Sequence, residues 1–243
     1  MTKRLLTILW LVLLSGMLSG CGIIDYFFLP PPEDTAQELY QSGVEALQAQ
    51  DYGEAADLFT KLKDRYPFSP YAIPGEMALA DALFLDESYE VAAEAYKEFA
   101  SMHPAHDQIP YVLFQVGMSN YNVRSTIDRA QPHVVEALEY FYRVRDTYPD
   151  TPYGRNAQDY VELCRRRLAD HELFIADFYW KAERYKSAWS RYNYVLDQFP
   201  DLPDVVRYAL ERSQMAYMLH QQEEAGAKRE KEEGSWKQWF NWL

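Results

Sequence analysis

Glycine is scarce in this chain, ten residues in 243, and neither a G-x-S-x-G elbow nor a Walker-type glycine loop occurs. Backbone that cradles a nucleotide phosphate needs glycine for close approach, so the composition speaks against a nucleotide-binding α/β enzyme. Only two cysteines are present, Cys21 and Cys164; they allow at most one disulfide and cannot close a zinc site unaided. Basic residues are outnumbered, 24 Lys+Arg against 37 Asp+Glu, for a formal net charge of −13. That is the wrong sign for a nucleic-acid partner. Strand-like alternation of useful length is missing, and the acids are scattered over helix faces with no pair set apart for acid–base work. The H-x-x-H of His103 and His106 straddles a helix end beside Pro104 and has no third ligand. Arg165, Arg166 and Arg167 would lower the pKa of Cys164, but a thiol on the inner face of a helix reads as core. No catalytic residue, metal site or cofactor is read from the chain.

What is present starts with a targeting segment. Lys3 and Arg4 precede an apolar run, Leu5 to Leu14, that is too short to span a bilayer comfortably. It leads to Leu18-Ser19-Gly20-Cys21, the pattern of a bacterial lipobox, in which the thiol is acylated and becomes the new N-terminus. Residues 1–20 are therefore expected to be a cleaved signal peptide and Cys21 the lipidation site, with several acyl chains giving stable anchoring. Gly22 rather than aspartate follows the cysteine, which permits sorting to the outer membrane. Cleavage takes away Lys3 and Arg4 and no acid, leaving 22 bases against 37 acids and a net charge of −15. Residues 21–35 contain Pro30-Pro31-Pro32 and form a stiff, extended linker. Ile23, Ile24, Phe27 and Phe28 on that linker either rest at the membrane interface or pack on the first helix.

From Ala36 onward the apolar residues recur with helical period, and the chain repeats itself. Four stretches place alanine, an aromatic four later and a proline eight beyond that: Ala55/Phe59/Pro67, Ala92/Tyr96/Pro104, Ala137/Phe141/Pro149 and Ala188/Tyr192/Pro200. Three also place a small residue twelve before the alanine, at Gly43, Ala80 and Ala176. This is the tetratricopeptide (TPR) pattern, in which the small residue admits a second helix, the aromatic fills the gap and the proline ends the helix. The expected fold is all-α, a TPR superhelix of about five helix pairs. Repeats 1–2 should occupy residues 36–110, repeat 3 residues 111–152 and repeats 4–5 residues 153–222.

Successive prolines lie 37, 45 and 51 residues apart instead of the usual repeat length of about 34. In the third repeat the small residue is Gly117, twenty before Ala137, so the loop near Arg124 to His133 is enlarged between its two helices. The first helix of repeat 4 should start early and cover roughly Tyr153 to Tyr179. Asp204 is placed to cap a last helix running to about Gln222, and the charged tract 223–233 continues it as a solvated helix face or a fraying tail. Residues 223–243 make a charged and tryptophan-rich tail. In it Trp236, Trp239, Phe240 and Leu243 share one helical face suited to a membrane interface, a partner, or packing back on the array. In a TPR array the first helices of each pair line the concave face. Gln37, Tyr40, Val44, Leu47, Met77, Asp81 and Phe84 are the candidate peptide-binding positions there, with inter-repeat packing as the competing role.

The turns add specificity. Asp64-Arg65-Tyr66-Pro67-Phe68-Ser69-Pro70-Tyr71 is echoed by Asp146-Thr147-Tyr148-Pro149-Asp150-Thr151-Pro152-Tyr153 and by Asp197-Gln198-Phe199-Pro200-Asp201-Leu202-Pro203. With the lipobox and the enlarged third repeat, these turns make the chain resemble the BamD family. Those are the TPR lipoproteins of the outer-membrane β-barrel assembly machinery, also grouped as ComL-like competence lipoproteins. The likeness runs from the lipobox to about residue 220; a shorter third-repeat loop and the tail WKQWFNWL depart from it. The resemblance implies a non-enzymatic lipoprotein on the periplasmic face of the outer membrane. It implies further that unfolded outer-membrane proteins are recognised by the N-terminal repeats. The POTRA domains of a BamA-like barrel subunit would be docked by the C-terminal ones, alongside other Bam lipoproteins. Arg191 matches a family arginine at that docking contact, and Trp236, Trp239 and Phe240 join it as candidate docking residues. A pilotin-like or envelope-associated TPR scaffold is the alternative reading, and it would lack these turns and the enlarged repeat.

Overall fold

The structure is a computed structural model and describes residues 34–233. The candidate residues Cys21, Trp236, Trp239 and Phe240 lie outside the described residues. Nine helices run in order among those described: α1 (Ala36–Gln48), α2 (Tyr52–Arg65), α3 (Ala72–Leu85), α4 (Tyr89–Met102), α5 (Ile109–Asn122), α6 (Pro132–Thr147), α7 (Pro152–Lys181), α8 (Tyr185–Gln198) and α9 (Pro203–Glu233). Each helix packs on its neighbours in sequence, and the odd-numbered helices also touch through α1–α3, α5–α7 and α7–α9. The odd helices therefore form the inner layer of four complete TPR pairs. The long α9 stands as the first helix of a fifth unit.

The alanine–aromatic–proline pattern marks where these helices meet and stop. Ala55, Ala92, Ala137 and Ala188, and the rings of Phe59, Tyr96, Phe141 and Tyr192, are all fully buried. A Cβ added at Gly43 would come within 2.7 Å of the Phe59 ring, and one at Gly117 within 2.7 Å of the Phe141 ring. The glycines thus let the phenylalanine rings touch backbone, and the twenty-residue spacing to Ala137 places Gly117 at the same structural position as Gly43. Each even helix ends one or two residues before its proline, on Tyr66, His103, Tyr148 or Phe199. These caps have nearly one conformation, φ −125° to −131° and ψ 47° to 54°, because the following proline excludes the helical region. Four apolar clusters result, one per repeat, each completed by the first helix of the next. Leu83 and Leu168 bridge adjoining clusters.

Within repeats 1, 2 and 4 the two helices are joined by the same turn, which the sequence pattern did not disclose. Gln50, Glu87 and Glu183 adopt φ of 63°, 58° and 57°. The N–H groups after and at these residues return to the preceding helix (Asp51 to Ala46 O, Gln50 to Leu47 O, and their counterparts), which is the Schellman arrangement. A glycine normally fills that left-handed position, but here it carries glutamine or glutamate.

Repeat 3 replaces this turn by the enlarged loop 123–131, as the spacing implied. The buried Gln131 amide donates to Thr126 O and Arg129 O at 2.8 Å. From α7, Arg167 donates to Tyr121 O and Ser125 O, and His171 meets Ile127 O. The loop is thus strapped to the inner layer. The two arginines before Arg167 reach elsewhere. Arg165 pairs with Asp201 and donates to Gln198 O, while Arg166 pairs with Asp204. One helical turn of α7 fixes the loop and the α8–α9 connection together.

One sequence expectation needs adjusting. Helix α9 begins at Pro203, so Asp204 lies inside its first turn and is held by Arg166 instead of acting as the cap. The helix continues unbroken through the charged tract to Glu233, which makes that tract a solvated helix face. It packs through Val205, Ala209, Ser213, Ala216 and His220, after which residues 221–232 are almost entirely exposed.

Two stability measurements follow. Glu183→Gly should raise the unfolding free energy by up to about 1 kcal/mol in urea titration, because the left-handed penalty exceeds the entropic cost of glycine. Gly117→Ala should lower it by about 1–3 kcal/mol, because the Phe141 ring has no room to retreat.

Candidate functional site

The concave side is lined by the inner helices, which touch one another in sequence. Helices α3 and α5 meet in the repeat-2 cluster, where Ala80 of α3 is buried together with Val112 and Val116 of α5. Two adjoining clefts open there on the concave side. The first, about 370 Å³, is lined by Met77, Asp81, Asp107, Gln108, Pro110, Tyr111, Thr151, Pro152 and Tyr153. The second, about 360 Å³, runs over Tyr40, Ile73, Pro74, Met77, Ala78, Asp81, His106 and Gln108. Met77, Asp81 and Gln108 belong to both, so the clefts form one groove.

Of the sequence-derived positions, Tyr40, Met77 and Asp81 come together in this groove. Tyr40 stacks at a tilt on Tyr71, with ring centroids 5.4 Å apart, and approaches Phe59 at 6.0 Å. Gln37 is exposed one turn ahead of it. Val44 and Leu47 are half-buried against the repeat-1 core, and Phe84 lies against the repeat-2 core edge-on to Tyr89. These three pack between helices and line neither cleft.

Asp81 sits in an arrangement that sequence reasoning missed. Its Oδ1 accepts hydrogen bonds from the hydroxyls of Tyr96 and Tyr111, both at 2.6 Å, distances typical of O–H donors on a carboxylate. Tyr111 thus ties α5 to α3. Burial first, and then the charge of Asp81, hold both phenols well above the usual tyrosine range. The same cluster recurs in repeat 4. Tyr192 donates to Asp177 at 2.5 Å and Tyr208 donates to it at 3.0 Å. Burial followed by the bonded carboxylate raises both of those phenols as well. A signal for this was available. In repeats 2 and 4 the small residue is Ala followed by Asp, and the ring sixteen later is Tyr. In repeats 1 and 3 it is Gly followed by Val44 or Met118, and the ring is Phe59 or Phe141.

The remaining candidates separate cleanly. Arg191 donates to Glu172 on α7 at 3.0 Å while its side chain stays 42% exposed, so it is positioned by an acid of the neighbouring helix and still faces solvent. His103 pairs with Glu76 at 2.8 Å and both imidazoles pack on Phe99. No cluster of three His, Cys, Asp or Glu side chains fit to hold a metal ion occurs among the described residues. Cys164 is fully buried. Burial pushes its thiol up to about 12, against the smaller opposing pull of Arg167.

Comparison with known proteins follows the same lines. The family described as YfiO, outer membrane lipoprotein, matches residues 32–233. The outer membrane protein assembly factor BamD of Rickettsia prowazekii is 28% identical over 184 residues, 75% of this chain and 73% of that protein. The factor of the same name from Vibrio cholerae is 26% identical over 217 residues, 84% of this chain and 89% of that protein. Among solved structures, the TPR2AB-domain:pHSP90-complex of yeast Sti1 aligns with a TM-score of 0.42 and 13% identity, over 76% of this chain and 70% of that one.

The tyrosine–aspartate bond can be isolated by a double-mutant cycle. Asp177→Met with Tyr192→Phe copies the Met118/Phe141 pair of repeat 3. The double variant should be more stable than the sum of the two single losses predicts, by about 1 kcal/mol or more in urea unfolding. Strict additivity would show that the bond contributes nothing.

Proposed function

The chain belongs to the YfiO family of outer membrane lipoproteins, and from that premise we propose that it is a non-enzymatic receptor and scaffold for β-barrel assembly at the outer membrane. Its relatives are named assembly factors, which supports membership of the barrel-assembly complex. The finer roles divide along the array. The N-terminal repeats receive extended segments of unfolded outer-membrane proteins in the groove between α3 and α5. That groove is the observation carrying the reading. It is concave, apolar along Tyr40, Met77, Tyr111 and Tyr153, and edged by carboxylate and amide groups able to satisfy a peptide backbone.

The C-terminal repeats dock the POTRA domains of the barrel subunit. Arg191 supports this, since a guanidinium already oriented by Glu172 has donors left for a partner carboxylate. Trp236, Trp239 and Phe240 are proposed to join Arg191 in that docking. Acyl chains on Cys21 hold the molecule at the periplasmic face, and the proline-rich linker spaces the array from the bilayer. No helix among the described residues is long and apolar enough to cross a membrane.

Depletion of the protein in its own host should lower the folded porin content of the outer membrane, read by heat-modifiable gel mobility. Affinity capture of the chain from detergent-solubilised membranes should recover the barrel subunit. Unchanged porin levels together with failure to recover that subunit would remove the assembly role.

A further inference from the structure

The two tyrosine–aspartate clusters are built alike and finished differently. At Asp177 both carboxylate oxygens are occupied, Oδ1 by Tyr192 and Tyr208 and Oδ2 by Tyr208. A cation stands next to that cluster, with the Arg212 guanidinium 5.4 Å from the Tyr208 ring centre and 5.1 Å from that of Trp180. At Asp81 both hydroxyls converge on Oδ1. Its Oδ2 accepts no hydrogen bond among the described residues, although Asp81 lines both clefts. Gln115, four residues after Tyr111, stands where Arg212, four after Tyr208, stands in the other cluster. It is uncharged, and its amide donates to Tyr96 and Tyr111 at 3.4 and 3.3 Å. Asp107 adds a second, exposed carboxylate to the first cleft. Neither cleft is lined by a lysine or an arginine.

An aspartate needed only to join helices is complete in the way Asp177 is complete. Asp81 keeps one oxygen without a hydrogen bond among the described residues, and the groove it lines has no lysine or arginine. We propose that this groove selects extended polypeptide segments carrying an arginine or lysine, whose cationic head is held by Asp81 Oδ2 and Asp107. The inference rests on the receptor reading above and specifies which segments the receptor prefers. The walls suit such a guest. The Tyr111 and Tyr153 rings, with centroids 5.5 Å apart, and the Met77 thioether offer aromatic and polarisable surface to the head and stem. Tyr40, Ile73 and Pro74 on one side and Pro110 and Pro152 on the other take the apolar neighbours. The two tyrosine bonds already fix the Asp81 carboxylate, so little side-chain freedom is lost on binding.

The test uses the full chain in detergent and three fluorescein-labelled nine-residue peptides of alternating aromatic and polar residues. They differ only at the central position, which is arginine, its neutral isostere citrulline, or glutamate. Fluorescence anisotropy should show the arginine peptide binding about tenfold more tightly than the citrulline peptide, with the glutamate peptide weakest. The arginine preference should shrink at high salt. Asp107→Asn should cut the preference severalfold while leaving the melting temperature unchanged, since Asp107 is exposed and bonded to nothing among the described residues. Equal binding of all three peptides would overturn the charge selection and leave the receptor reading standing. No binding by any peptide would overturn both.

Discussion

The contact on which the array depends is the one between a small residue on an inner helix and an aromatic ring on its outer partner. At Gly43 and Gly117 the ring lies so close that even a methyl group would collide with it. Ala80 and Ala176 take the matching positions in repeats 2 and 4, and both are fully buried. That approach fixes the distance between helices, and the burial of each ring completes one apolar cluster. Successive clusters share residues, so stability passes from repeat to repeat by nearest-neighbour packing. The groove is a by-product of this geometry. It opens on the concave side of α3 and α5, where the Tyr111 hydroxyl reaches Asp81.

Much of the framework was legible because its signals are local. A proline ends a helix wherever it stands, and an alanine twelve residues after a glycine specifies two helices in contact before any tertiary structure is known. The long first helix of repeat 4 and the enlarged loop of repeat 3 followed from spacing alone. The groove was half legible. TPR geometry put Tyr40, Met77 and Asp81 on the concave face, but whether Val44, Leu47 and Phe84 faced solvent or a neighbouring helix depended on how each repeat core closes. The left-handed turn residues were hidden for a different reason. Glutamine and glutamate carry no conformational signature there, whereas glycine would have. Asp177 and its tyrosines were hidden because they come from three helices, though the matched change from Gly–Phe to Ala–Asp–Tyr was visible in the text of the chain.

The three consecutive arginines show how a short run acts on distant parts of a fold. Successive helix positions point about 100° apart, so Arg165, Arg166 and Arg167 cannot serve one surface. They reach the α8–α9 turn, the start of α9 and the third-repeat loop respectively. In sequence the run suggested only an effect on the thiol of Cys164. In the fold, burial sets that thiol and the arginines fasten the middle of the array.

The alternation of cores has a consequence for how such a protein grows or shrinks. An Asp–Tyr repeat must be followed by an inner helix that supplies a second tyrosine, as α5 does for Asp81 and α9 does for Asp177. A Gly–Phe repeat demands nothing of the kind. The exchangeable unit is therefore two repeats long. Excision of repeat 3 alone would remove Tyr111 and bring α7 up against Asp81, while excision of repeats 3 and 4 together would bring up α9 with Tyr208. Read this way, the chain is a tandem pair of two-repeat modules. One module keeps its carboxylate open, and the other has closed the same feature with Tyr208 and Arg212.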